Sequence, residues 1–136
     1  MIGSKQSVFS VYGSKTNYVL DNSSKKNITK FIVDDCVLLT LADDEKCDYL
    51  FLVANAEIVD GYFVELKGAD VAKAISQILN SIKHLKKNIS GSIFGRIVCS
   101  KFPKAPDTLS SNNYVKLRRI LEGNIIIKSS KLVDTV

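Results

Sequence analysis

An aspartate and a Glu-x-Lys tripeptide border two apolar runs within residues 48–70. Asp48 opens the first run, and Glu65 and Lys67 close the second. Alternate residues of a strand point to opposite faces, so Glu65 and Lys67 lie side by side on one face. A hairpin between the two runs would bring Asp48 beside them. Two carboxylates and a lysine at one point can bind a divalent cation and steady a phosphate.

The same three residues also have a plainer explanation. A Glu-x-Lys pair on a strand can be a surface ion pair with no further role. Asp48 would then be a solvated acid at a strand edge, and Lys67 would form a salt bridge to Glu65 or Asp48. Short motifs match by chance, but the context favours function: two strongly apolar strands carry the motif and a long amphipathic helix follows it.

These residues resemble the motif of the PD-(D/E)xK superfamily of restriction-endonuclease-like nucleases. The resemblance covers residues 30–100 and rests on Asp48 followed by Glu65-Leu66-Lys67. It implies that Asp48 and Glu65 ligate Mg²⁺ or Mn²⁺ and that Lys67 is the catalytic lysine, which orients or activates the attacking water. The backbone carbonyl of Leu66 could add a neutral metal ligand.

The helix after the motif extends the resemblance, whereas the start of the chain departs from it. Many members carry a polar residue on this helix that faces the site, and Gln77 is the candidate here. Its position beside the apolar stripe fits either a buried group bonded to the site or plain helix surface. Members usually also place a glutamate on a helix before the first strand. Residues 1–29 contain no glutamate, and their only acid is Asp21.

Length and composition indicate one globular domain. The chain has 136 residues, of which 46% are hydrophobic and 24% charged, as is ordinary for a soluble protein. No apolar run is long enough to span a membrane, and the first residues lack a signal-peptide pattern. Cys36, Cys47 and Cys99 have no C-x-x-C spacing, which indicates reduced thiols in the cytoplasm. His84, the only histidine, is predicted to be a solvated surface residue, which leaves little for a zinc site or a Ser-His-Asp triad.

Charge is unevenly distributed along the chain. Residues 1–70 carry 7 basic and 11 acidic residues, a balance of −4, and residues 71–136 carry 12 and 3, a balance of +9. A basic surface attracts polyanions, and nucleic acid is the commonest such partner, so nucleic acid is the expected partner here. The alternative is a solvated surface without a ligand. The residues considered for phosphate contact are Arg96, Lys116, Arg118 and Arg119.

Hydrophobic periodicity predicts a mixed α/β fold with a central sheet flanked by helices in βββαβαβ order, as in restriction-endonuclease-like proteins. Residues 1–29 are predicted to be an N-terminal irregular or strand-like segment, and residues 30–136 a single nuclease-like domain. Short connections predict an antiparallel meander of three strands, and the β-α-β step predicts that the third and fourth strands are parallel. The continuously apolar second strand predicts a sheet centre covered by helices. Strands are predicted over 28–41, 47–54, 61–67, 93–102 and 124–128, and helices over 71–87 and 112–122.

Three functions are compatible with these observations. The leading hypothesis is a small Mg²⁺-dependent nuclease acting on DNA or RNA, as a homodimer or beside a larger protein partner. The second is a catalytically inactive module of the same fold that binds nucleic acid or a protein. The third is a structural or regulatory protein of a mobile element or host-defence cluster. If the chain is a nuclease, substitution of Glu65 or Lys67 should abolish cleavage. The fold should stay intact, because both residues are expected at a strand end outside the core.

Overall fold

A computed structural model describes residues 3–33, 46–101 and 111–136 of the chain. These ranges hold eight strands and two α-helices, and a 3₁₀ turn at Lys86–Asn88 follows the first helix. The predicted strand beyond residue 33, with Asp34, Asp35 and Cys36, lies outside the described residues. The elements are β1 Val8–Tyr12, β2 Asn17–Asp21, β3 Asn27–Ile32, β4 Tyr49–Asn55, β5 Ile58–Lys67, α1 Val71–Leu85, β6 Ile93–Cys99, α2 Asn112–Ile120, β7 Ile125–Ser129 and β8 Lys131–Thr135.

Five strands form a central mixed sheet in the order β3-β4-β5-β6-β7. The first three are antiparallel neighbours, which confirms the predicted meander. β5, β6 and β7 are parallel, which confirms the prediction for the step through α1. A two-residue turn joins β4 to β5, and its first residue, Ala56, has a φ of 57°. Positive φ is typical of the tight turns whose twist matches that of the paired strands.

A second, three-stranded sheet covers one face of the central sheet. β2 lies between β1, which is antiparallel to it, and β8, which is parallel to it. The prediction that helices cover the buried strands is therefore wrong for this face, because an apolar surface can equally be buried by another sheet. The residues that meet between the sheets are large and apolar: Phe9, Val11, Tyr18, Leu20 and Leu132 on one side and Phe51, Val53, Tyr62 and Val64 on the other.

The two helices pack on the opposite face of the central sheet. Asp70 begins α1 by accepting a hydrogen bond from the backbone amide of Lys73, as an N-cap residue does. The buried stripe of α1 runs at helical spacing and meets Leu50, Leu52 and Phe63 of β4 and β5. Within the described ranges, neither helix is long and apolar enough to cross a membrane.

Candidate active site

The β4–β5 hairpin sets Asp48 opposite Glu65. Tyr49 pairs with Val64, so the residues one step further along, Asp48 and Glu65, face each other across the two strands. Glu65 lies two positions after Phe63, which is buried against the helices, so Glu65 belongs to the helix-covered face of the sheet. Asp48 directly precedes β4 at a bend.

Hydrogen bonds to both neighbouring strands hold Asp48 in place. Its Oδ2 accepts from the backbone amide of Leu66 at 2.9 Å, and its carbonyl accepts from the amide of Val33 at 3.0 Å. The amide and carbonyl of one strand residue point towards the same neighbouring strand. The carbonyl of Leu66 therefore lies on the Asp48 side of β5, where a neutral metal ligand is predicted.

Glu65 and Lys67 form an ion pair at the end of β5. Lys67 Nζ lies 3.5 Å from Glu65 Oε2. The side chain of Glu65 is 2% exposed and that of Lys67 is 22% exposed. The expectation that Glu65 lies outside the core is therefore wrong, because β6 pairs alongside it and α1 covers this face. A carboxylate with so little access to water requires compensating cations or hydrogen-bond donors.

Gln77 is buried on the inner side of α1, so the alternative that it is plain helix surface is wrong. It is 4% exposed, and its Oε1 has no hydrogen-bond partner in the described part of the chain. One turn later, Ser81 Oγ donates to the carbonyl of Gln77 at 2.8 Å and accepts from the amide of Cys47 at 2.9 Å. This bridge ties the Gln77 turn of the helix to the residue that precedes Asp48.

A cavity of about 360 Å³ opens beside Lys67, and we call it the Lys67 cavity. Three segments line it: Ser14 to Thr16 from the β1–β2 turn, Leu66 to Gly68 from the end of β5, and Ser100 after β6. Sequence reasoning missed Lys15 and Ser100 because nothing near them in the chain marks a site. Gly13 permits the close approach of the turn, since a Cβ there would meet Leu66 Cβ at 3.3 Å and come closer still to Thr16 Oγ1.

Arg96 lies between the two sheets, so the expectation that it contacts phosphate is wrong. It pairs with Val64, whose side chain faces the three-stranded sheet. Its Nε donates to Asp134 Oδ2 at 2.7 Å, and the hydroxyl of Tyr18 donates to the same oxygen at 2.7 Å. Burial, followed by the charge of Asp134, raises the pKa of Tyr18 above its ordinary value and that of Tyr62 to about 12.

The basic residues of α2 do not share one surface. Lys116 lines a groove of about 440 Å³ between α1 and α2, together with Lys83 and Lys86. We call this the α1–α2 groove and these three residues the groove lysines. Arg118 and Arg119 line a separate depression at the other side of α2. Helical periodicity separates Lys116 from Arg118, because residues two apart point in nearly opposite directions.

The donor set fits a hard divalent cation better than zinc. The described residues contain no group of three or more His, Cys, Asp or Glu side chains that could hold a metal. Magnesium commonly uses one or two carboxylates and completes its shell with substrate phosphate and water, which Asp48 and Glu65 suit. Cys47 and Cys99 are buried thiols, and His84 is exposed with Nδ1 2.8 Å from the carbonyl of Asn80.

No family model, curated protein or solved structure matches this chain. The resemblance to the PD-(D/E)xK superfamily therefore stays a prediction that rests on the motif residues.

Proposed function

We propose that this chain is a Mg²⁺- or Mn²⁺-dependent nuclease that hydrolyses phosphodiester bonds of DNA or RNA. The observation that carries the proposal is the Asp48 carboxylate held at the end of β5 by the Leu66 amide at 2.9 Å, next to Glu65, with Lys67 Nζ 3.5 Å from Glu65 Oε2. The order of elements from β3 to β7, three strands followed by helix, strand, helix and strand, also supports it. The short chain acts as a homodimer or beside a larger protein.

Each residue has a defined task in this proposal. Asp48 and Glu65 would hold the metal, which would lower the pKa of a bound water and offset charge on the phosphate. The Leu66 amide fixes the orientation of the Asp48 carboxylate. Glu65 holds the ammonium of Lys67 at the mouth of the Lys67 cavity, where it can donate to a phosphate oxygen. Gln77 supplies a buried amide on the inner side of α1, one turn before the Ser81 hydroxyl that binds the amide of Cys47.

The alternative function is a non-catalytic module that binds nucleic acid. Two observations favour it over an enzyme. The first is that residues 1–29, where the superfamily usually places a glutamate, contain none. The second is that the described parts of the chain hold no group of three or more His, Cys, Asp or Glu side chains that could bind a metal. The groove lysines would then carry the binding through phosphate contacts that need no metal.

Cleavage assays with three variants test the proposal. Purified protein is incubated with labelled single- and double-stranded DNA and RNA in Mg²⁺, Mn²⁺ or EDTA. Asp48→Asn, Glu65→Gln and Lys67→Ala should each abolish metal-dependent cleavage. Glu57→Gln is the matched control, because it makes the same change at the exposed far end of the same hairpin.

Melting curves accompany these assays because Glu65 is buried. A metal-induced rise in Tm that disappears in Asp48→Asn and Glu65→Gln supports the metal site. Cleavage that persists in all three variants excludes these residues as its source. Absence of cleavage by the unmodified protein, together with oligonucleotide binding in EDTA, favours the non-catalytic module.

A further inference from the structure

We infer that the Lys67 cavity binds a phosphate group of the substrate and that Lys15 is a positioning residue for it. The inference deepens the proposed function and rests on it for the identity of the ligand, a phosphate of a polynucleotide. The cavity lies where the parallel strands β5 and β6 end, and ligands of open α/β sheets bind at the carboxyl ends of such strands. Its volume of about 360 Å³ lies within the range of small ligand sites.

The chemistry of the lining suits an anion. Lys15 and Lys67 contribute two positive charges, and Ser14, Thr16 and Ser100 contribute hydroxyl groups. The described lining residues include no acid. Ammonium and hydroxyl groups are donors to phosphate oxygens, and hydrogen bonds between opposite charges are the stronger class.

Lys67 connects this cavity to the proposed metal ligands. An ammonium has three N–H donors, and the contact with Glu65 Oε2 at 3.5 Å uses one direction. Lys67 also lines the cavity, so its other donors are directed away from Glu65 towards the bound anion. A phosphate held between Lys15 and Lys67 is thereby placed next to the carboxylates that would hold the metal.

The walls of the cavity are fixed by backbone hydrogen bonds. The amide of Ser100 donates to the carbonyl of Lys67 at 3.1 Å and to that of Gly68 at 2.9 Å, which joins the ends of β5 and β6. The amide of Gly13 donates to the carbonyl of Thr16 at 2.8 Å and closes the β1–β2 turn. Lys15 is therefore presented by a closed turn packed on Leu66, although it comes from a distant part of the chain.

Inorganic phosphate is the first probe of this site. It is titrated into metal-free, ¹⁵N-labelled protein, and backbone amide shifts are followed. Shifts should concentrate at Ser14 to Thr16, Gly68 and Ser100, and should be absent from the opposite turn at residues 22–26. Shifts that are absent, or that spread evenly over all exposed lysines, would overturn the inference.

A short fluorescent oligonucleotide in EDTA is the second probe. It distinguishes a site for polynucleotide phosphate from a site that binds only free inorganic phosphate. Lys15→Gln should weaken oligonucleotide binding about tenfold, as expected for a lost charge-assisted hydrogen bond. Lys25→Gln makes the same change in the exposed turn at the other end of β2 and should leave binding unchanged. Equal affinities of the two variants would refute a role of Lys15 with polynucleotides, even if free phosphate binds.

Failure of this inference differs from failure of the proposed nuclease function. If the protein cleaves and Lys15→Gln changes neither KM nor phosphate binding, the nuclease stands and the phosphate site falls. If phosphate and oligonucleotide bind as described but no metal supports cleavage, the phosphate site stands and the hydrolytic function falls. Lys15→Gln should raise KM more than it lowers kcat, because Lys15 positions the substrate and takes no part in the proposed water activation.

Discussion

Replacing Asp134 by alanine should strongly destabilise the fold, because Asp134 joins the two sheets. Its Oδ2 accepts from Arg96 of the five-stranded sheet and from Tyr18 of the three-stranded sheet, each at 2.7 Å. The side chains of Arg96 and Asp134 are 7% and 13% exposed. Asp134→Ala would leave a buried guanidinium and a buried hydroxyl without this acceptor.

The size of the effect follows from the burial of the pair. Removing one partner of a buried ion pair costs about 3–5 kcal/mol, and the residual exposure of Asp134 favours the lower end. The unfolding entropy of 136 residues is about 0.29 kcal/mol/K, from about 2.1 cal/mol/K per residue. A loss of about 3 kcal/mol therefore lowers Tm by about 10 °C.

Thermal and urea unfolding followed by circular dichroism would measure this loss. Asp134→Asn is the matched control, because it keeps an acceptor oxygen and should cost less. A triple variant, Tyr18→Phe, Arg96→Met and Asp134→Leu, should recover most of the stability, since an apolar replacement leaves no buried charge unpaired. A fall in Tm of less than about 3 °C in Asp134→Ala would refute the reasoning.

Three further expectations concern pH, the helix and salt. Stability should fall above pH 10, because Tyr18 and Tyr62 have pKa values raised by folding and the unfolded state loses their protons first. Each contributes a slope of about 1 kcal/mol per pH unit between pH 10 and 12, measurable by urea titration, and a flat profile would contradict this. Gln77→Leu should raise Tm by removing a buried oxygen that has no hydrogen-bond partner among the described residues, and it should lower cleavage; unchanged activity would exclude Gln77 from the site. Neutralising the groove lysines should reduce the slope of log K against log salt concentration for nucleic-acid binding by about 0.7–0.9 per lost phosphate contact. An equal reduction of this slope by Arg118→Gln and Arg119→Gln would place the contact elsewhere.

Local patterns were sufficient to predict the centre of the molecule. The alternating pattern of residues 62–67 correctly predicted which side chains point to each face of the sheet, because the backbone of a strand fixes a two-residue period. The start of α1 was predictable from Asp70, whose side chain caps it. A hairpin between the two runs was expected to bring Asp48 beside Glu65, and the two-residue turn between Asn55 and Ile58 fixes the register of the strands.

Contacts between distant residues were not predictable. β8 was missed because only Leu132 of its five residues is buried, so its sequence shows little apolar pattern. Arg96 was considered for phosphate contact, because its partner Asp134 lies 38 residues away and no sequence signal links them. Lys15 was also overlooked, because it lies far from Lys67 in the chain and comes beside it only when the two sheets pack together.

The parallel pairing of β2 with β8 has a consequence for how the molecule folds. Asn17 pairs with Lys131, and the two are 114 positions apart in the chain (131 minus 17). Closing so long a loop carries a large entropic cost, and contacts of this separation slow folding. The isolated β1–β2 hairpin is too small to be stable until β8 joins it. The turn that carries Lys15 should therefore dock late, and the wall it forms beside Lys67 should be among the last parts of the protein to assemble.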